Sequence, residues 1–185
     1  MKPGVAPGPP FVAMRAGDIA FARMEKVNAE LVALTYGALV AQLFKEGKSP
    51  DEVTCKLDAI GFNMGIRMVD EFLAKQALSG CSSFREAMDV VAKVAVKMFL
   101  GVDCELIETT GGVLLNFPEN PLNDFVELPL NMVFSYSSIY CGMIRGAMEQ
   151  LHMRVTATFV KDTLRGDDTN SIQVMMEGLI RPESD

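Results

Sequence analysis

The chain has 185 residues, 49% of them hydrophobic and 22% charged, which fits one domain with at most a tail. Its 17 basic and 24 acidic residues leave a net charge of −7, which argues against nucleic acid as a partner because phosphate binding needs a basic face. His152 is the single histidine, which all but excludes a histidine-based metal site or a Ser-His-Asp triad.

The four cysteines, Cys55, Cys81, Cys104 and Cys141, are far apart and form no CxxC pair. At this size and spacing a disulfide framework is not expected, and a reducing compartment is the better reading. The uncharged run from Leu128 to Ile144 is interrupted by Pro129, Asn131 and three serines. It falls short of the roughly 20 apolar residues a membrane span needs. Met1–Pro10 holds four prolines with no apolar stretch after it, so no secretory signal is expected. These features predict a cytosolic chain.

Residues 1–23 are rich in Pro, Gly and Ala and read as a flexible N-terminal tail, with Ile19–Met24 able to extend the first helix. From Lys26 to Lys45, Val27, Leu31, Leu34, Ala38 and Ala41 recur at helical spacing, predicting a helix buried on most sides. Gly47 ends it. Ser49-Pro50-Asp51-Glu52 is a capping box that opens a second helix, expected to stop near Gly61. Asn63 is expected to cap a third, with Met64, Met68, Phe72 and Leu73 buried and Gly80 as its C-cap. Ser83-Phe84-Arg85-Glu86 is another capping box, and places Phe84, Ala87, Val91, Val94, Ala95 and Met98 on one helical face up to Gly101.

The period then changes. Glu105–Thr109 and Val113–Phe117 read as strands joined around Gly111-Gly112. Ser135–Met153 reads as a helix with Ile139, Met143, Ala147 and Leu151 on one side. Arg154–Lys161 and Ile172–Ile180 read as strands joined by a polar turn. Helices gather early and strands pair by hairpins, so the expected class is α+β with an antiparallel sheet.

Cys81 stands out chemically. It lies just before a helix N-terminus, whose partial positive charge favours a thiolate, among small residues that leave sulfur accessible. Local sequence alone still favours a buried packing role, since free cysteine is commonly buried. The other three cysteines sit in predicted helix or strand and read as packing. Thirteen methionines and 11 phenylalanines can line an acyl tunnel or adapt to partner helices, although core filling explains most of them. Gly142 and Gly146 form a GxxxG, which in a soluble helix permits close packing. Asp70-Glu71 and Asp167-Asp168 read as solvated pairs, and His152 as structural. No P-loop or GxSxG is present. On these signals the chain is a binding or assembly protein and not an enzyme.

Several blocks, in order, resemble the small subunits of the transport protein particle (TRAPP), subunit-three (Bet-three) type. They are Leu34-Thr35-Tyr36-Gly37-Ala38-Leu39-Val40, Gly61–Arg67, Cys81–Glu86, Val94–Gly101, Asn120–Pro129, Cys141–Ala147 and Phe159–Asp167. The resemblance spans about Val32 to Arg181. It implies an α/β plait, four to five helices on one side of a four-stranded antiparallel sheet. The corresponding organisation is a tail over 1–23, a TRAPP small-subunit domain over 24–181 and a C-terminal tail over 182–185.

The resemblance also implies homodimers, assembly with other TRAPP small subunits, vesicle tethering between endoplasmic reticulum and Golgi, and a composite exchange surface for a Rab GTPase. Peripheral association with cis-Golgi and endoplasmic reticulum membranes would then come through the complex. In this branch the Cys81 position carries a covalent palmitate thioester inside a hydrophobic tunnel, with Ala95 along that tunnel. This implication reverses the local reading of Cys81. Gly80 stands where relatives place a basic residue, which removes any electrostatic aid from that position. Two other readings remain at this point: a regulatory domain that binds a small apolar molecule on the same fold, and a thiol acyl-transfer enzyme at Cys81.

Overall fold

A computed structural model describes residues 10–76, 81, 83–129 and 132–180. Gly80, expected as a C-cap, lies outside them, as do both chain ends. The helices are α1 (Pro10–Arg23), α2 (Ala29–Lys45) and α3 (Pro50–Gln76), then α4 (Phe84–Val90), a π-helical turn (Val91–Ala95) and α5 (Val96–Leu100) in direct succession, and α6 (Ser138–Gln150). Counting 84–100 as one helix gives five among the described residues. Strands β1 (Glu105–Thr109), β2 (Gly112–Phe117), β3 (Met153–Lys161) and β4 (Asn170–Leu179) form one antiparallel sheet in the order β1-β2-β4-β3. This is the expected α+β plait.

The sheet sorts its residues by alternation. Val113, Leu115, Phe117, Ile172 and Val174 are buried beneath the helices, with the Phe117 ring 6.4 Å from Tyr140 of α6. Ile107 and Met175, on the other register, stay exposed. The first hairpin pairs Thr109 with Gly112, so its two-residue turn is Thr110-Gly111, one position earlier than expected. Gly111 supplies the positive φ of 92° that this turn requires.

Four sequence expectations are corrected. Residues 10–23 are helical, not tail: Ala20 is buried against Val94 and Met98, with Ala16 packed beside them. The apolar burial available there outweighs the loop-like composition. Helix α2 begins after Asn28, whose Oδ1 accepts from the Leu31 N–H at 2.9 Å. It buries Ala33, Tyr36, Val40 and Leu43 instead of the stripe read from the sequence. Val27, Leu31 and Leu34 are 74%, 63% and 51% exposed. A helix apolar on two faces shows periodicity without showing which face the chain itself covers.

The third correction is that α3 does not break at Gly61. The Ser49–Glu52 capping box forms as read, the Ser49 N–H donating to Glu52 Oε2 at 2.8 Å. The helix then continues through Asn63, whose side-chain amide donates back to the Ala59 carbonyl at 3.1 Å. Gly61 and Gly65 serve contact with α6 and not termination. A Cβ at Gly61 would collide with the Ile139 carbonyl, and one at Gly65 with the Met143 carbonyl. Reciprocally, a Cβ at Gly142 would strike the Asp58 carbonyl and one at Gly146 the Phe62 carbonyl. Two GxxxG faces thus let the helix backbones touch. Arg145 of α6 pairs with Asp58 of α3 and lies 5.5 Å from the Phe62 ring, flanking the crossing. Along this helix Met64 and Leu73, expected to be buried, are exposed.

The fourth concerns the single face read for the helix after Ser83. Ser83 does cap it, accepting from the Glu86 N–H at 3.2 Å, and Gly101 closes it with φ 74°. The π turn between divides the apolar residues over two faces. His152 also takes a positive φ, 58°, just past α6, and its N–H donates to the Glu149 carbonyl at 2.9 Å. Its role is that of a helix terminator.

Candidate functional site

An apolar pocket lies between α3, helix 84–100, α6 and the covered face of β2 and β4. Helix α3 contributes Met68 and Phe72, the 84–100 helix Val91, Ala95 and Phe99, and α6 Met143 and Ala147, with Leu151 just past its end. Leu115, Phe117 and Ile172 of the sheet form its floor. The α3–α6 glycine contact sets this geometry, because Gly65 both touches α6 and lines the pocket. Among the described lining residues none is charged, and Cys81 is the one cysteine. Tyr140 presents its ring while its hydroxyl donates to Asn120 Oδ1 at 3.2 Å. Such walls can take an apolar chain and offer a polar ligand nothing, and the Cys81 thiol lies among them.

The two site residues named from the sequence, Cys81 and Ala95, therefore line one pocket. The Met143, Ala147 and Leu151 stripe was visible as apolar periodicity on α6. Phe117 and Ile172 were readable as strand residues. Nothing in either pattern marked them as pocket walls, because only the packing of α6 over the sheet makes them so.

The Cys81 thiol is less acidic than its place before a helix N-terminus alone would make it. It is half-buried, and burial, reinforced by nearby Glu86, pushes its pKa above the ordinary thiol value. Desolvation and the Glu86 carboxylate both favour the neutral thiol. Since the thiolate is the nucleophile, acyl transfer from a thioester donor to Cys81 should accelerate about ten-fold per pH unit between 7 and 9, without levelling off. Intact-mass time courses across that range would show it. A plateau below pH 8 would contradict the protonated resting state.

The other cysteines divide. Cys141 is buried and its thiol is pushed up to about 12 by burial. Cys104 is half-buried and likewise raised to about 12. Both fit the packing role. Cys55 is exposed on α3 and does not. Asp168 is exposed and pairs with Lys161 at 3.0 Å, which holds its carboxyl below the usual range. Among the described residues no cluster of three or more His, Cys, Asp or Glu is placed to hold a metal, and no helix is long and apolar enough to cross a membrane.

Two of the sequence blocks singled out earlier meet beside the pocket. Asn120 donates to Ser137 Oγ and Asn123 Oδ1, both at 2.9 Å. Asn123 donates to Thr163 Oγ1 at 2.9 Å, and Asp162 Oδ1 accepts from the Leu164 N–H at 3.0 Å. This buried network ties the 120–129 loop to the 159–167 segment and to the start of α6. Each member is oriented by the others, so the loop beside the pocket is held by polar geometry as well as by packing.

Residues 32–175 match the transport protein particle (TRAPP) component family model. The chain is 44% identical over 171 residues to the trafficking protein particle complex subunit 3 of Dictyostelium discoideum, covering 90% of this chain and 92% of that one. The chain belongs to the TRAPP component family. The transport protein particle subunit bet3 of Schizosaccharomyces pombe is 41% identical over 174 residues, covering 91% of this chain and 94% of its own. The crystal structure of a TRAPP subunit 3 from Naegleria fowleri, covalently bound to palmitic acid, superposes with a TM-score of 0.80 at 41% identity. It covers 85% of this chain and 100% of that one. The subunit-three type expected from the sequence blocks is thus the type of TRAPP component that this chain resembles.

Proposed function

We propose that the chain is a core scaffold subunit of a TRAPP vesicle-tethering complex in endoplasmic reticulum to Golgi transport, with a palmitoyl thioester on Cys81 whose chain lies in the apolar pocket past Ala95. The observation that carries this is the position of Cys81 on a pocket whose described walls carry no charge, in a chain 41% identical to a subunit 3 crystallised with covalent palmitic acid. Energetics agree. Burying an acyl chain is worth about 0.8 kcal/mol per methylene, on the order of 10 kcal/mol for a palmitoyl length. A chain held that strongly inside protein is a core element and not a membrane anchor, so peripheral membrane association falls to the assembled complex.

The chain acts through assembly and not through turnover. It pairs with itself and with other TRAPP small subunits, and contributes to a composite surface that promotes nucleotide exchange on a Rab GTPase. The exposed Val27, Leu31 and Leu34 stripe supports this, because it is an apolar helix face that the single chain leaves uncovered. An acyl-transfer cycle at Cys81 finds no support, since the described pocket walls provide no general base.

The test is the intact mass of the purified protein before and after neutral hydroxylamine. The parent should carry an acyl-sized excess that hydroxylamine removes and that Cys81→Ser lacks. Ala95→Phe should also lack it, because the ring would fill the pocket. An unmodified parent that instead binds an apolar ligand reversibly would replace this reading with that of a ligand-binding domain.

A further inference from the structure

We propose that helix α1 is a clamp on the pocket wall, and that it sets the bore of the pocket by bracing the π turn at Val91–Ala95. In an unbroken α-helix Ala87, Val91, Val94 and Met98 would share one face. Here Ala87 and Val91 line the pocket, but Val94 and Met98 do not; they are buried against Ala20 of α1. The pocket instead receives Ala95, Val96 and Phe99. A π turn adds one residue to the helical repeat and so rotates everything after it by about 100°. That rotation turns Ala95, the small residue that leaves room for a chain, into the pocket, and gives Val94 and Met98 to α1.

Helix α1 is built to seat on this turn. Gly17 approaches so closely that a Cβ would collide with the Lys93 carbonyl, in the middle of the π turn, and would press on Lys97 Cβ at 3.2 Å. One turn on, Ala20 is 1% exposed, filling the space over Val94 and Met98. The Phe21 ring rests on Gly101, the left-handed residue that ends the helix. Three side chains, Phe72, Val90 and Phe99, line the pocket and also pack on the cluster that α1 covers. The wall between α1 and the pocket is therefore one side chain thick, and a shift of α1 is felt in the bore. Helix α1 precedes residues 32–175, the part matched by the family model.

The inference extends the acyl-pocket reading, and its test separates the two. Full-length parent, Gly17→Val and Ala20→Glu are compared by amide hydrogen exchange and by intact mass after incubation with dodecanoyl to eicosanoyl coenzyme A. In both variants, amide exchange over Val94–Met98 should accelerate at least about ten-fold while α3 and the sheet keep their protection. The acyl profile at Cys81 should spread to longer chains than the parent accepts. Unchanged exchange over Val94–Met98, whether or not α1 itself opens, overturns the clamp. An acyl profile identical to the parent's, with α1 open, overturns its control of the bore. A parent that accepts no acyl chain refutes the acyl reading instead, and the exchange data then decide the clamp alone. A thermal melt by circular dichroism distinguishes local release from global unfolding, and Gly17→Ala, one methyl larger than glycine, serves if Gly17→Val does not fold.

Discussion

Gly142→Val will lower the thermal midpoint by about 10 °C or leave the protein insoluble. The added side chain has no rotamer that avoids the collision, because the obstacle is the Asp58 carbonyl and the Phe62 amide of α3, both backbone. Overpacking of a close contact costs about 1–3 kcal/mol where side chains can give way, and more where two helix axes must separate. For a chain of this size each kcal/mol moves the midpoint by roughly 2–4 °C. The loss compounds, since parting α3 from α6 also exposes the pocket and stretches the Arg145–Asp58 pair. Gly178→Ala is the control, because open space surrounds Gly178. Equal melting of Gly142→Val and Gly178→Ala would show that the two GxxxG faces do not govern stability.

Leu34→Glu should convert a dimer at micromolar concentration into a monomer, read by sedimentation or light scattering. Leu34 is exposed on α2 with Leu31, beside Val27 just before the helix, so the change leaves the chain's own core untouched. In a twofold interface the substitution enters twice. Losing two buried leucines at about 1.5–3 kcal/mol each weakens association by at least about 100-fold. Val160→Glu, on an exposed position of β3, should leave the dimer intact. A Leu34→Glu protein that keeps the parent's size, or a parent that is already monomeric, would remove the stripe from the assembly reading.

Local sequence was enough wherever the controlling interaction is local. The Ser49–Glu52 and Ser83–Glu86 caps and the closing Gly101 lie where their residues place them, and all four strands fall within about two residues of it, because capping and strand patterns are settled within a few positions. The blocks from Leu34 to Asp167 were sufficient to reach the TRAPP resemblance, and with it the expectation that Cys81 matters. What failed were inferences that need to know a neighbour. Gly61 resembles a helix stop until α6 is seen against it. The Val27, Leu31 and Leu34 stripe resembles core until α2 is seen to bury its opposite face.

The sequence by itself determined the α+β class, the Ser49 and Ser83 helix caps, the strands and the family, since each depends on short-range pattern or on ordered blocks of residues. Tertiary structure alone decided which other residues wall the pocket of Cys81 and Ala95, that α3 and α6 touch backbone to backbone, and that α1 covers a helix face. It also decided how helix 84–100 is shared between the pocket and α1. A π turn leaves no mark in hydrophobic periodicity, because Val94 and Ala95 are both apolar and only packing on each side selects which one faces the pocket.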